Sequence, residues 1–470
     1  MRSTTLAKKS VHKARFHFML WSIILLVSMI GILWILQVGH RDSEAPTSPP
    51  SADSRAIPPL APLELNGLSV KEQVAVLRAA AIELGQRLVT EFPRQAESHV
   101  LLGNTYRQLG QSTQAVDSWH KALTLDAQRA DVYTYLAVLE EEKGNADQAL
   151  SHWRKVLLLK PTLPGLRDSL ANTLMTLNQW DNAIKVLHEE MQLSPQSART
   201  HYLLGRAYSQ QKHFTEAATH YEETIALDPN WTAAYYELAT ALMRSGEREA
   251  AQHYRRRFRE RNQQEQEEAS YGYTEQEDLQ KAKQTLAGLC GGAADLYRVI
   301  QQDALELTLL KRMVILDPNN LGGRKRLAAR YQALGRLPEA LSECEQIARL
   351  APDDPICQML IGSLSVRMGR YTRAESAYQK MITLAPELPA GYRELAKIYL
   401  KTRKNLSQAQ TLAQQAVHLD PTAGNYYVLG LAHYENGDKS SALKALKRAL
   451  QLDPGNQTFQ RTYDKLTLGK

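Results

Sequence analysis

The chain has 470 residues, which is too long for one ordinary globular core but suits an architecture that grows by stacking. Its formal charge is +7, and five of its basic residues lie among the first fifteen positions, where there is no acid. The remainder is close to neutral, so its net charge gives no electrostatic argument for a nucleic-acid partner.

The first 66 residues divide into three segments by composition. Residues 1–15 form a basic tail, residues 16–39 contain no Asp, Glu, Lys or Arg, and residues 40–66 are rich in proline. The apolar run predicts a transmembrane helix at 16–39, and the basic flank predicts a cytoplasmic N-terminus with all later residues across the membrane. The proline-rich segment predicts a linker. A cleaved signal peptide is the alternative for the apolar run, although no small-x-small site follows it directly.

A pattern with a period of 34 residues runs from residue 96 to 255, after a helical stretch at 67–95 that we interpret as a degenerate half-repeat or cap. Leucine followed by a small residue marks the first half of each period, alanine marks the second half, and proline closes three periods. The doublets are Leu102-Gly103, Leu136-Ala137, Leu170-Ala171, Leu204-Gly205 and Leu238-Ala239, the alanines are Ala115, Ala149, Ala183, Ala217 and Ala251, and the prolines are Pro161, Pro195 and Pro229. Small residues let paired helices approach closely and proline ends a helix, so the pattern predicts five helical hairpins.

This combination of period and residue types resembles the tetratricopeptide repeat (TPR), a helix-turn-helix unit. The resemblance implies an all-α fold, a right-handed α-α superhelix that forms a TPR solenoid. It also implies a concave groove lined by the first helix of each repeat. Because many unrelated partners bind this scaffold, the resemblance is more specific for fold than for function.

The frame is lost after residue 255 and returns at 287. Residues 256–286 are polar and predict a helical insertion, in which Thr274 and Glu277 have the spacing of a capping box. Residues 287–456 predict a second array of one degenerate and four regular repeats, marked by Leu327-Ala328, Ile361-Gly362, Leu395-Ala396 and Leu429-Gly430. Residues 457–470 predict a C-terminal capping helix.

The sequence contains no motif that predicts catalysis, a cofactor or a metal site. The three cysteines, Cys290, Cys344 and Cys357, have no zinc-binding spacing. Cys344 and Cys357 fall at the end of one unit and the start of the next, where a disulfide could form. Three small buried apolar residues is the simpler interpretation.

The candidate ligand residues are those at the groove positions of the first helix of each repeat, as the resemblance implies. In the first array they form a polar wall with tyrosines, suited to an extended peptide or sugar chain. In the second array four cations favour an acidic segment or a C-terminal carboxylate. The predicted groove residues are Asn104, Arg107, Tyr135, Asn172, Tyr202, Arg206, Tyr236 and Arg244, and then Lys325, Arg326, Arg393, Lys397, Tyr427 and Tyr434.

These features predict a non-catalytic, membrane-anchored scaffold or assembly factor that binds protein or peptide partners. The predicted setting is an envelope process, such as secretion or the biogenesis of pili, polysaccharide or cytochromes. The predicted localisation is single-pass in a bacterial inner membrane, with the repeats in the periplasm. One alternative is a cytosol-facing TPR import or chaperone receptor, and another is an enzyme or transferase subunit that acts on envelope glycans.

Overall fold

The computed structural model of the chain describes residues 58–269 and 274–468, and within these ranges all regular secondary structure is helical. The predicted all-α class is therefore confirmed for this part of the chain. In order, the helices are α1 (Val70–Glu91), α2 (Ala96–Gln108), α3 (Ser112–Leu125), α4 (Ala130–Glu142), α5 (Ala146–Leu159), α6 (Leu166–Thr176), α7 (Trp180–Leu193), α8 (Ala198–Gln210), α9 (Phe214–Leu227), α10 (Thr232–Ser245), α11 (Arg248–Ala269), α12 (Glu275–Val299), α13 (Asp303–Leu316), α14 (Leu321–Ala333), α15 (Leu337–Leu350), α16 (Pro355–Arg367), α17 (Tyr371–Leu384), α18 (Pro389–Thr402), α19 (Leu406–Leu419), α20 (Ala423–Glu435), α21 (Lys439–Leu452) and α22 (Gln457–Leu468).

The helices pack as consecutive hairpins, and each hairpin stacks on the next. Helices α2 to α11 form five pairs, and α12 to α21 form five more; α1 packs on α2 and α22 packs on α21. Each pair buries the apolar side of both helices between its neighbours, which is the packing of a solenoid. The predicted helical solenoid is confirmed, and its predicted handedness stays a prediction.

In three repeats the glycine of the doublet makes room for a large ring on the partner helix. A Cβ atom added at Gly205 would lie 2.6 Å from Tyr221, and one added at Gly103 would lie 2.5 Å from Trp119. Tyr221 is fully buried. The sequence pattern suggests that the glycine meets the alanine four residues before the ring, whereas the nearest atoms are those of the ring itself. The space that the glycine leaves between the helices is therefore filled by an aromatic side chain.

The second array begins against the first helices of the chain. Helix α12 packs on both α1 and α2. The Tyr297 hydroxyl donates a 2.7 Å hydrogen bond to Glu91, and the Tyr297 ring meets Phe92 edge-on at 5.3 Å. A Cβ atom at Gly292 would lie 2.4 Å from Leu101. The start of each array is thus covered by the start of the other.

The predicted polar insertion at 256–286 contains two different helices in the structure. Helix α11 continues to Ala269, and α12 begins at Glu275 with Thr274 and Glu277 forming the capping box that the sequence indicates. Leu279 and Leu286 are buried. The second part of this segment therefore belongs to the apolar packing of α12.

The predicted localisation in a membrane is wrong for the chain as the structure describes it. No helix within residues 58–269 and 274–468 is both long enough and apolar enough to cross a bilayer. The predicted transmembrane helix at 16–39 lies outside the described residues. The predicted placement of the repeats, anchored to a membrane on its periplasmic side, depended on that segment and is not proposed further.

The ring-on-glycine contact gives a test of the repeat packing. We expect Gly205→Ala to lower the free energy of unfolding by about 1–2 kcal/mol, because overpacking costs about 1–3 kcal/mol and the better helix propensity of alanine returns at most about 1 kcal/mol. Gly288→Ala is the matched control, since Gly288 lies in a helix and nothing is within 4 Å of its added Cβ. Urea denaturation measures both, and equal effects of the two substitutions would contradict the packing argument.

Candidate ligand groove

The predicted groove residues at the start of the first array are used in packing. Asn104 Oδ1 accepts a 3.0 Å hydrogen bond from the indole of Trp119, and the Tyr135 ring stacks on the same indole at 5.4 Å. Arg107 forms an ion pair with Glu142 of the next repeat. These three side chains hold neighbouring helices together, so little of their bonding capacity faces a ligand.

The predicted residues at the other end of this array are more accessible. Tyr236 is 52% exposed, with its ring centroid 5.4 Å from that of Phe258. Tyr202 lies 5.0 Å from Trp231 by the same measure. Among the described residues, no carboxylate lies within ion-pair distance of Arg206 or Arg244. This end of the groove therefore combines an exposed aromatic ring with unpaired cations.

Two further residues complete this end of the groove although the sequence analysis did not select them. Met243 is 39% exposed and directly precedes Arg244 on α10. The other is Glu237, a half-buried carboxyl whose pKa is raised by burial and lowered in part by Arg206. Met243 occupies the position that Arg107 holds in the first repeat, so its place in the repeat frame was the available signal.

The first array also contains a polar contact between its third and fourth repeats. Arg206 donates a 3.4 Å hydrogen bond to Asn172 Oδ1 of the preceding repeat. This acceptor is neutral, and the charge of Arg206 also acts on Glu237, whose pKa it lowers in part. Asn172 and Arg206, which the sequence placed at equivalent positions of consecutive repeats, are brought together by the structure.

The cations predicted for the second array are paired with carboxylates of the chain itself. Arg326 contacts Asp295 at 2.9 Å and Lys325 approaches Asp354 at 3.9 Å. The side chain of Glu394 lies 2.9 Å from both Arg393 and Lys397. The sequence analysis missed these acids because two of them lie in neighbouring repeats. An acidic ligand at this array stays a prediction, and it would have to compete with internal ion pairs.

The tyrosines predicted for the second array differ in accessibility. Tyr427 stacks on Phe459 of the capping helix α22 at 4.6 Å, and its hydroxyl lies 3.2 Å from that of Thr462. Tyr434 is 45% exposed. Only Tyr434 of this pair therefore offers a ring to a ligand.

Two buried carboxyl groups lie between the third and fourth repeats. Asp168 and Glu190 are each 1% exposed. Asp168 accepts a 2.8 Å hydrogen bond from Thr200, and Glu190 accepts one of 2.7 Å from the Gly165 amide. Burial, together with the charge of Glu190, raises the pKa of Asp168. These acids are sealed in the packing, so they do not form an open pair of the kind that the enzyme alternative requires.

A cluster of imidazole and phenol rings lies beside the accessible end of the groove. His201 and His220 face each other with 3.1 Å between their Nδ1 atoms, and Tyr208 stacks on His220. His188 Nε2 lies 3.0 Å from the Tyr208 hydroxyl. Burial, then the neighbouring histidines His201 and His188, lower the pKa of His220 to about 4. The cluster therefore favours the neutral form of His220.

The cysteines behave as buried apolar residues. Cys290, Cys344 and Cys357 are all free thiols, so Cys344 and Cys357 form no disulfide in the structure. Burial raises the pKa of Cys344 to about 12 and that of Cys357 to about 11. Within the described residues, no group of three or more His, Cys, Asp or Glu side chains is placed to hold a metal ion.

Comparisons with known proteins identify the repeat in both halves of the chain. Models of the tetratricopeptide repeat match residues 100–162, 326–389 and 423–456. A model described as anaphase-promoting complex, cyclosome, subunit 3 matches residues 142–224.

Individual proteins show more distant similarity. A curated Schizosaccharomyces pombe protein, "DnaJ homolog subfamily C member 7 homolog", is 24% identical over 228 residues, which is 47% of this chain; the chain spans 46% of that relative. Among solved structures, yeast Tom70 covers 80% of this chain and 96% of its own at 14% identity, with a TM-score of 0.33. YrrB, titled a TPR protein with an unusual peptide-binding site, covers 38% and 92% at 16% identity and the same TM-score.

The imidazole cluster predicts a loss of stability in acid. The pKa of His220 is lowered from 6.5 to about 4, so between these pH values the unfolded chain binds a proton that the folded chain does not. The free energy of unfolding should therefore fall as the pH drops from about 6.5 to about 4, at no more than about 1.4 kcal/mol per pH unit for this one site. We expect His220→Gln to reduce that slope.

Urea denaturation at several pH values measures the effect. His120→Gln is the control, because His120 is exposed on α3 and lies outside the cluster. If His120→Gln reduced the slope as much as His220→Gln, the effect would belong to histidine content and not to the cluster.

Proposed function

We propose that this chain, which carries tetratricopeptide repeats in both halves, is a non-catalytic scaffold that binds a protein or peptide along α8 and α10. The single observation that carries the proposal is the exposed Tyr236 and Met243 beside Arg244, a cation that no described carboxylate pairs. A ligand that covers these side chains gains apolar burial and a charge partner at one place.

The chemistry of this surface suits a partner with an apolar side chain next to a carboxylate. Tyrosine and arginine are enriched among the residues that contribute most to protein-protein binding. An exposed tyrosine ring buries a large area with few rotatable bonds, so the entropic cost of ordering it is small. The Arg244 guanidinium can bind a carboxylate through two parallel hydrogen bonds.

In this proposal the second array contributes less to ligand binding than the first. Its four predicted cations already have carboxylate partners, so a ligand would replace existing ion pairs there and gain less. The exposed ring of Tyr434 remains available. The envelope processes that the sequence suggested depend on the corrected localisation, and they form no part of this proposal.

The test uses peptides selected against the full chain from a random library. For peptides that bind, we expect Tyr236→Ala and Arg244→Gln each to weaken the affinity about tenfold or more, which corresponds to about 1.4 kcal/mol. Both side chains are exposed, so the substitutions should leave the fold intact. Isothermal titration calorimetry gives the affinities.

Leu158→Ala and Ile315→Ala are matched controls. Each removes an equally accessible large side chain, 75% exposed in both cases, from the second helix of a repeat. Affinities that fall equally in the control variants, or that do not change in the α10 variants, would contradict the proposed site.

A further inference from the structure

Helix α11, the last helix of the first array, has a side that no other described helix covers. Within the described residues, α10 is the helix that packs along α11, and the contact is made by Ala251 and Tyr254 with Phe258 at its edge. The next helix, α12, instead packs on α1 and α2. The stack of the first array therefore ends at α11, with a lateral face open.

The repeat frame identifies the side chains on that face. In α9, Ala218, Tyr221 and Ile225 pack in the cluster that contains Leu238, Ala241 and Leu242 of α10, and the spacing of Phe214 places it on the same side of α9. One period later the corresponding residues of α11 are Arg248, Gln252, Arg255 and Arg259. Where the position of Arg255 recurs in α3, α5 and α7, the residues are the buried Trp119, Trp153 and Leu187.

The four residues of the α11 face are exposed and share one side of the helix. Their spacing of i, i+4, i+7 and i+11 places them in a single row. Among the described side chains, no carboxylate forms an ion pair with Arg248, Arg255 or Arg259, whereas the nearby Arg257 does pair with Glu260. Arginines at i and i+4 repel each other, so the row costs stability when nothing covers it.

Solubility alone does not account for this row. An end helix needs a polar outer face, but that face works equally well with mixed charges. The other array shows this arrangement, because its end helix α22 carries Arg461 and Lys465 together with Asp464. The α11 face carries cations and glutamine only.

We propose that the arginine face of α11 docks an acidic α-helix of a partner protein, which stacks where the first helix of a following repeat would lie. The seat has the form that a helix requires, because Ala218, Tyr221 and Ile225 at the equivalent positions of α9 pack against the following helix α10. Carboxylates spaced at i, i+4, i+7 and i+11 on the partner would meet the arginines in turn, and each guanidinium can form two parallel hydrogen bonds with a carboxylate. This site is separate from the groove of α8 and α10.

The experiment measures the binding of labelled peptides to the full chain by fluorescence anisotropy. The probe is an alanine-based helical peptide with glutamates at i, i+4, i+7 and i+11, and its partner probe carries lysines at those positions. We expect the glutamate peptide to bind, with an affinity that falls as salt screens the charges, and the lysine peptide not to bind. The triple variant Arg248→Gln, Arg255→Gln, Arg259→Gln should weaken the binding at least tenfold.

A matched variant removes equal charge elsewhere. Lys444→Gln, Lys447→Gln and Arg448→Gln neutralise three exposed cations of α21, and this variant should bind the glutamate peptide as the unmodified chain does. Reversal of the face with Arg248→Glu, Arg255→Glu and Arg259→Glu should exchange the preference, so that the lysine peptide binds. Circular dichroism confirms that each variant is folded.

Three outcomes would overturn the proposal. The first is no binding of the glutamate peptide at low salt, and the second is equal weakening by the α11 and α21 variants. The third is tighter binding of a mixed-sequence duplex DNA that depends on the same arginines, because the face would then recognise phosphates and not a helix. None of these results depends on the groove, so the proposed function is tested independently.

Discussion

The structure depends on one steric constraint, the close approach of paired helices at the small residue of each doublet, which in three repeats seats a large ring of the partner helix. At Gly205 the space that a methyl group would fill is taken by Tyr221, and the same relation joins Gly362 to Tyr378. The ring is buried, and it also packs on the following repeat. In these repeats a single contact therefore fixes both the hairpin and its stacking, and the close approach of helices repeated every 34 residues produces a solenoid.

This constraint explains what the sequence could and could not predict. A contact made within one repeat leaves a local signature, so the hairpins were predictable from the doublets, the alanines and the prolines. The contact of α12 with α1 and α2 joins residues about 200 positions apart, as the hydrogen bond from Arg78 to Asp278 illustrates. Gly292 and Tyr297 follow no repeat there, because the packing is made once and has no period to reveal it.

The same distinction applies to the candidate groove. Some of the positions that the repeat frame selected, such as Tyr236 and Arg244, are exposed in the structure, because a position in the frame determines which side of a helix a residue occupies. It could not determine the partners of a charged group. Arg326 and Arg244 occupy comparable surfaces, yet Asp295 lies beside the first and no described carboxylate pairs with the second. Compensation of charge depends on individual residues of the next repeat, which vary without a period.

In this chain an arginine without an ion pair therefore indicates a ligand site better than the mere presence of an arginine does. Ion pairs join neighbouring repeats at several levels, for example between Arg129 and Glu97 and between Arg330 and Glu306. An arginine in such a pair stabilises the stack, and the carboxylate compensates most of its positive charge. Arginines that form no ion pair with a described carboxylate occur in several places, for example at Arg154 and Arg367, but they are grouped most closely at Arg244 on α10 and in the row on α11, where the first array ends. A partner that supplies carboxylates at the end of the first array would extend to this group of arginines the pairing that the repeats make among themselves.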